Sequence, residues 1–160
     1  MKTLFTAVVL CLVFGSLTFA KGKADGEIKF ERVGAGIVVG DPLGISVKLW
    51  NNKETAFDGV LSLGQTRTLY VHADYLLHNY ELLRDLSKEL NSGDLVFYYG
   101  GGAYISFWTT NSMGLGARLP VGVEYLVNPF DLYIEVAPAL AITPAMGLTF
   151  YGGLGVRFDF

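Results

Sequence analysis

The last fourteen residues, Gly147 to Phe160, read GLTFYGGLGVRFDF and decide the fold class. Successive side chains of a β-strand point to opposite faces. One face of this stretch is apolar and contains Leu148, Phe150, Leu154, Val156, Phe158 and Phe160. The other face is small or polar and contains Thr149, Tyr151, Arg157 and Asp159. Because a tilted strand needs roughly 9–11 residues to cross a bilayer, the stretch predicts the closing strand of an outer-membrane β-barrel.

The first twenty residues have the features of a secretory signal peptide. Lys2 gives a positive start, an apolar run extends from Leu4 to Phe14, and the small residues Thr18 and Ala20 fit a cleavage site. Such a segment is removed from the mature protein. A lipidated Cys11 is the alternative, but Val9-Leu10 lacks the small residue expected before it. We therefore expect a signal peptide at 1–20, a flexible lead-in at 21–31 and one barrel domain at 32–160.

The composition of the mature chain excludes several classes of protein. The whole chain has 12 Lys and Arg and 15 Asp and Glu, so loss of Lys2 leaves 11 against 15 and a net charge of −4. There is no basic run that would favour nucleic acid. No apolar run of 18 residues follows residue 20, which excludes helical membrane spans but not strands. Cys11 is the single cysteine, so the mature chain has no disulfide or thiolate metal site.

Seven further stretches alternate as the last one does, which makes eight in all. They are 32–40, 43–50, 57–64, 68–78, 95–107, 115–125 and 131–140. Short turn signals such as Asp41-Pro42 and Asn128-Pro129 separate them. Eight alternating segments predict an all-β, eight-stranded antiparallel up-and-down transmembrane barrel. We expect local bulges at Pro120 and Pro138, because proline removes a donor from the hydrogen-bond ladder.

The period changes once, between strands 4 and 5. In the segment from Glu81 to Asn91 the leucines follow a helical stripe: Leu82, Leu83, Leu86 and Leu90. This spacing predicts one short helix. The helix either rests on the membrane surface or caps the barrel mouth, and a contact surface for a periplasmic partner is a further alternative.

Two kinds of eight-stranded barrel differ in which face points inward. A lipocalin-like barrel turns its apolar face inward, and a membrane barrel turns it outward. The interior of eight strands is only wide enough for packed side chains or one small ligand, and the apolar face here is made mostly of large side chains. The polar face, with its many glycines, suits that interior better. We therefore expect the apolar face to contact lipid.

The inward face then carries a nearly balanced set of charges. The predicted lumen network consists of Arg32, Lys48, Asp58, His72, Asp74, Arg118, Glu124, Glu135, Arg157 and Asp159, with Asp131 on the same face. Charges in a narrow lumen must pair to offset their desolvation. The balance indicates a plugged lumen rather than an open pore. We expect Arg118 and Arg157 to pair with Glu124, Glu135 or Asp74.

Aromatic residues predict two belts, which membrane barrels place at both interfaces. With both termini in the periplasm, the periplasmic belt would contain Trp50, Tyr75, Phe97, Tyr99, Tyr125, Phe158 and Phe160. The outer belt would contain Phe107, Trp108 and Phe150.

The chain resembles the small eight-stranded outer-membrane barrels of the OmpA and OmpX kind. The resemblance covers the whole mature chain and is most specific at the C-terminal pattern of Leu154, Val156, Phe158 and Phe160. The stretches GAGIVVGDPLGISVKLW, LYVHADYLLHNY and LPVGVEYL are similar to a group of uncharacterised small outer-membrane proteins of diderm bacteria. The resemblance implies the outer membrane as location, with lipid and lipopolysaccharide around a monomer. It also implies that the barrel-assembly machinery reads the C-terminal pattern.

Catalysis or metal binding by the inward residues is a less well supported alternative to this structural interpretation. His72 and Asp74 could form a base of a lipid-modifying enzyme, for which Ser62, Thr68 and Ser106 are nucleophiles by residue type alone. His72 and His78 would stand roughly 20 Å apart on one strand, too far for one metal ion. Gly100-Gly101-Gly102 lacks the Lys-Ser/Thr of a phosphate loop. We predict no catalytic residue, metal or cofactor, and a structural or interaction role. A narrow channel for small solutes is the first alternative, and the enzyme is the second.

Overall fold

The computed structural model describes residues 31–63, 69–90, 92–108 and 112–160. The predicted signal peptide and the lead-in up to residue 30 lie outside these described residues, and so do Thr68, the predicted turn at 65–67 and loop residues 109–111. The strand assignments below refer to the described residues.

Eight antiparallel strands form a closed ring, with one short helix beside it. The strands are β1 (Arg32–Asp41), β2 (Gly44–Trp50), β3 (Thr55–Ser62), β4 (Leu69–Asn79), β5 (Asp94–Phe107), β6 in two segments (Met113–Arg118 and Val121–Val127), β7 (Phe130–Thr143) and β8 (Gly147–Asp159). Helix α1 spans Arg84–Glu89. Each strand pairs with the next along the chain, and β1 pairs with β8 to close the ring. The predicted eight-stranded up-and-down barrel is confirmed.

The helix is shorter than the predicted segment from Glu81 to Asn91. Asn79 begins the turn into it, because its Oδ1 accepts hydrogen bonds from the backbone nitrogens of Glu81 and Leu82 at 3.1 and 3.0 Å. Among the described residues, no helix has the length and apolar character needed to cross a membrane.

The bulges expected at Pro120 and Pro138 are wrong, because the strand register continues through both prolines. In β6, Arg118 lies opposite Gly102 and Val121 opposite Tyr99, which is the same register on both sides of Pro120. Pro138 lies opposite Phe150 within an unbroken β7–β8 pairing. Each proline keeps its carbonyl as an acceptor, for Gly100 N and Leu119 N, both at 2.9 Å. Only the donor is lost, so pairing continues.

A register shift occurs elsewhere in the barrel. Leu115 lies opposite Thr143, whereas Gly116 lies opposite Ala141, so β7 contains one extra residue at this point. The irregularity is near the end of the barrel that is opposite the termini.

The barrel turns its apolar face outward and its polar face inward. On β7 and β8, Ile134 is 53% exposed and Leu154 is 60% exposed. The lumen side chains Lys48 and Arg157 are 0% and 2% exposed. The predicted orientation of the two faces is therefore the one that the structure has.

Glycines make room for long side chains inside the narrow ring. Three inward tyrosines each lie directly opposite a glycine of the neighbouring strand: Tyr98 and Gly122, Tyr104 and Gly116, Tyr133 and Gly155. A Cβ atom on those glycines would lie 2.1 to 2.5 Å from the tyrosine ring. The rings therefore lie flat over the glycine backbone, and these glycines are needed for the packing of the lumen.

The substitution Gly155→Ala is expected to destabilise the barrel by about 1–3 kcal/mol, the usual range for overpacking. Its Cβ would lie 2.1 Å from the ring of Tyr133, which is buried and has the Arg157 guanidinium carbon 3.8 Å from its centre. The matched control is Gly101→Ala, because a Cβ there meets only Leu119 Cδ2, at 3.8 Å, and should change stability by about 0.5 kcal/mol or less. Urea unfolding of the refolded variants measures both. Equal unfolding midpoints for the two variants would contradict the packing argument.

Candidate functional site: the charged lumen

Arg157 of β8 contacts four polar side chains of the lumen. Its Nη1 donates to Asp131 Oδ2 at 3.0 Å and to Glu124 Oε1 at 3.2 Å. Its Nη2 donates to Asp58 Oδ1, and its Nε donates to Ser46 Oγ at 2.8 Å. The three carboxylates come from β6, β7 and β3, so Arg157 joins four strands across the lumen.

Lys48 of β2 lies nearer the end of the barrel that holds the termini. Its Nζ donates to Glu124 Oε1 and lies 2.9 Å from His78 Nε2. His78 Nδ1 lies 3.2 Å from the carbonyl oxygen of Glu54, which can only accept. Nδ1 is therefore the donor, and Nε2 accepts from Lys48. Glu124 connects this group to Arg157.

The prediction that Trp50 belongs to the periplasmic aromatic belt is wrong, because Trp50 faces the lumen and is 2% exposed. It shares the inward face of β2 with Ser46 and Lys48. The Lys48 ammonium lies 4.1 Å and the Arg32 guanidinium carbon 4.6 Å from the centre of its ring. A desolvated aromatic face attracts cations strongly, and this attraction accounts for an indole at that position.

Arg118 of β6 forms a second centre, farther from the termini. Its Nε lies 3.0 Å from Asp74 Oδ2, and its Nη2 donates to Glu135 Oε1. Its Nη1 donates to His72 Nδ1 at 2.6 Å and to the hydroxyl of Tyr70 at 3.2 Å. Of the three carboxylates predicted as partners of the two arginines, Arg118 contacts Asp74 and Glu135, and Arg157 contacts Glu124.

His72 lies between the two arginine centres. A guanidinium can only donate, so Nδ1 accepts from Arg118 and the proton of the neutral ring is on Nε2. That atom lies 3.8 Å from Asp58 Oδ2 and 3.7 Å from Asp74 Oδ2. His72 thus connects the Arg157 centre to the Arg118 centre.

The donor atoms of Asp58, His72 and Asp74 lie within 4.8 Å of one another, close enough for a metal ion. Each carboxylate, however, already contacts an arginine, and the second nitrogen of His72 carries a proton. A metal ion would have to displace both arginines and that proton. The same group serves better as part of an ion-pair network.

The nucleophile candidates do not assemble around His72 in the described part of the chain. Ser62 Oγ donates to the carbonyl oxygen of Leu43. Ser106 lies opposite Tyr70, and its Oγ has no hydrogen-bond partner among the described residues. Thr68 lies outside those residues.

Arg32 and Asp159 are the remaining members of the predicted network. Arg32 Nε is 3.2 Å from Asp159 Oδ2 at the mouth beside the termini. Glu135 accepts from the hydroxyl of Tyr98 at 2.9 Å. The predicted network left out several residues that contact its charges: Ser46, Trp50, Tyr70, Tyr98, Tyr133 and His78. Tyr133 belongs to this set because the guanidinium carbon of Arg157 lies 3.8 Å from the centre of its ring. The two-residue alternation places each of them on the inward face and could have identified them.

Three inward tyrosines pack together on the far side of Arg118 and are called the tyrosine cap below. The ring centres of Tyr70, Tyr104 and Tyr151 are 5.3 to 5.6 Å apart, so the rings are in mutual contact. A cavity lined in part by His72, Arg118 and Tyr151 has a volume of about 10 Å³. One water molecule needs at least about that space. Ions with their hydration shells do not fit there.

The mouth beside the termini is wider than the lumen. A cavity of about 600 Å³ opens there, lined among others by Arg32, Trp50, Tyr80 and Asp94. Burial, followed by the nearby charge of Glu124, raises the pKa of Tyr80 to about 12. The phenol is therefore neutral near neutral pH.

Comparisons with known proteins give one structural likeness. The N-terminal β-barrel domain of Pseudomonas aeruginosa OprF is similar to this chain, with 14% sequence identity and a TM-score of 0.49. The likeness covers 81% of this chain and 96% of that domain. No protein-family model matches the chain, and no curated protein matches it.

Proposed function

We propose that the protein is an integral outer-membrane β-barrel whose lumen is closed by its own side chains, with a structural or interaction role. The observation that supports the proposal is the arrangement of the two faces: a buried ionic network lies inside a wall of exposed apolar side chains. A water-soluble protein rarely exposes a continuous apolar surface of this kind. In a membrane the same surface contacts lipid, and the ring leaves no open sheet edge.

The height of the apolar wall supports this proposal. On β8 the outward row begins at Leu148 and continues to Phe160, and both residues are at least 70% exposed. Twelve residue steps of about 3.3 Å, at a strand tilt of roughly 40°, give a height of about 30 Å. The hydrocarbon core of a bilayer is about as thick.

The outward aromatic residues support the expected belt at the termini end. Phe130 and Phe158 lie 5.7 Å apart between ring centres, and Phe158 and Phe160 lie 5.1 Å apart. Phe57 and Tyr75 form another outward pair at 5.1 Å. Phe107 and Phe150 are exposed toward the other end. We assign the termini end to the periplasm, and lipid and lipopolysaccharide to the surroundings of a monomeric barrel.

The C-terminal pattern is suited to recognition before the barrel closes. Leu154, Phe158 and Phe160 are exposed on the outward row of β8, and Val156 is half-buried there. β8 forms the seam with β1 that closes the ring. We infer that the barrel-assembly machinery reads this row during biogenesis.

The closed lumen distinguishes this role from that of a narrow channel. In planar lipid bilayers the refolded wild-type protein is expected to give no reproducible single-channel openings, because the tyrosine cap and both arginine centres block the lumen. An open porin in the same bilayers is the positive control. Reproducible openings would favour the channel, and loss of lipid-A modification in a deletion strain would favour the enzyme.

The membrane assignment itself has a separate test. The folded protein should migrate differently on a gel before and after heating, and it should require detergent or lipid to stay in solution. A refolded protein that is soluble without detergent would overturn the membrane assignment.

A further inference from the structure

Helix α1 has an exposed apolar stripe, and we propose that this stripe inserts into the lipid leaflet beside the termini end of the barrel. The proposal rests on the membrane location given above and assigns a partner, the phospholipid surface, to a segment that the barrel does not need for closure. The stripe consists of Leu82, Leu86 and Leu90.

Leu86 lies in α1, and Leu82 and Leu90 lie in the turns on either side of it, each four residues away. At 3.6 residues per turn this spacing corresponds to an arc of about 80° on a continuous helix. Leu82, Leu86 and Leu90 are 63%, 54% and 45% exposed, so the barrel does not cover them. The charged side chains of Arg84 and Lys88 lie on another flank, where they pair with Glu81 at 2.9 Å and Asp85 at 3.3 Å. Such an amphipathic segment is typical of helices that lie in a membrane interface.

The orientation of the helix on the barrel is fixed by Ser87. Its Oγ accepts from the backbone nitrogen of Leu95 at 3.0 Å and lies 3.4 Å from the carbonyl oxygen of Gly93. Leu95 is the second residue of β5, and Gly93 directly precedes that strand. The helix is therefore attached to the rim of the barrel.

The charged flank of the helix faces the aqueous mouth. Arg84 and Lys88 line a groove together with Tyr80 and Asp94. Tyr80 and Asp94 also line the wide mouth of the lumen. Since the charged flank is on the side of the mouth, the leucine flank is turned away from the barrel axis and toward the surrounding lipid.

The leucine stripe also continues the outer surface of the barrel. Near the helix, the outward residues Leu77 of β4 and Tyr99 of β5 lie opposite each other and are 37% and 46% exposed. Phe97 packs beside Tyr99 with 6.2 Å between ring centres. The stripe thus extends a surface that already contacts lipid, which favours the leaflet over a second protein as its occupant.

The test uses single cysteines in the full chain with Cys11→Ser. Leu86→Cys reports on the stripe, Lys88→Cys on the charged flank, and Ile134→Cys on the barrel wall, where Ile134 is 53% exposed. Each variant is labelled with an environment-sensitive fluorophore and refolded into phosphatidylcholine vesicles with or without doxyl-labelled lipid. An interfacial helix buries its apolar face about 5–10 Å into the leaflet, so quenching at position 86 should be roughly twice that at position 88 or more.

The three positions separate the two proposals. Quenching at 134 with equal, weak quenching at 86 and 88 would overturn the membrane contact of the helix and leave the membrane barrel standing. Absence of quenching at 134 in refolded protein would overturn both. A leucine stripe that binds another protein would give the first of these results.

Discussion

Replacement of Arg157 by methionine is expected to lower the free energy of unfolding by about 3–5 kcal/mol, the usual cost of breaking a buried ion pair by removing one partner. The guanidinium contacts Asp58, Glu124 and Asp131, and all four residues are buried. Methionine fills much of the same space but leaves these carboxylates without their shared cation. Urea unfolding in detergent micelles, or the fraction that keeps its unheated gel mobility, measures the loss.

Two further variants separate lost charge from lost shape. Arg157→Lys keeps the charge but not the planar fork that reaches several carboxylates at once, so it should recover part of the stability. The surface control is Arg84→Met, which breaks an exposed pair with Glu81 and should cost about 1 kcal/mol or less. A loss for Arg157→Met no larger than that for Arg84→Met would show that the lumen network does not hold the barrel together.

The sequence alone was sufficient for the strands and their faces. A period of two residues determines which side chains share a face, and it does so without knowledge of any partner strand. The narrow interior of an eight-stranded ring then decides which face points inward. This is why the positions of Lys48, Arg118 and Arg157 on the lumen side could be read directly.

The partners inside the lumen could not be read in the same way. Alternation gives the face of a residue but not its height along the barrel axis, which depends on the stagger of all the strands. Lys48 lies directly opposite Asp58 in the β2–β3 ladder. Nevertheless Lys48 donates to Glu124, and Asp58 accepts from Arg157 across the lumen. Neighbouring-strand pairs are local, whereas these contacts depend on the closed ring.

Trp50 shows the limit of a second kind of argument. Its place in the predicted belt followed from the general preference of tryptophan for membrane interfaces. Its position in the alternation, with Lys48 and Ser46, placed it inward, and the structure agrees with the alternation. The free energy gained by placing one tryptophan at an interface is small beside the cost of a one-residue register shift. Such a shift would move every side chain of the strand to the other face.

The same reasoning explains why the lumen is charged and not apolar. If both faces of a strand were apolar, a slip of one residue would leave an equally lipid-compatible wall. In the proposed membrane barrel, with Arg157 or Lys48 on one face, the slip would place a charge in the lipid, at about 2–4 kcal/mol for an arginine or lysine at the midplane of a membrane barrel. The network therefore specifies the register, whatever its net contribution to stability.

This argument leads to a prediction about Glu124 and Lys48. Glu124→Met is expected to cost about 3–5 kcal/mol, because it leaves the Lys48 ammonium with His78 and the ring of Trp50 and without a carboxylate. Adding Lys48→Met to that variant removes the unpaired cation, while Arg157 keeps Asp58 and Asp131. Replacing both members of a buried pair by apolar groups of similar size is often nearly neutral. The double variant should therefore be more stable than Glu124→Met by roughly 2 kcal/mol.

The matched control is the cycle of Glu81→Met and Arg84→Met on helix α1. Glu81 and Arg84 form an exposed pair at 2.9 Å, so their coupling should be about 0.5 kcal/mol or less. Unfolding free energies of the four variants in each cycle give the two couplings directly. If the Lys48 and Glu124 losses add as the control losses do, the contact between them does not stabilise the lumen. If they couple as expected, removing both charges costs little stability, whereas removing either one alone costs much more. The reason is that each charge is tolerated in the lumen only while its partner is present.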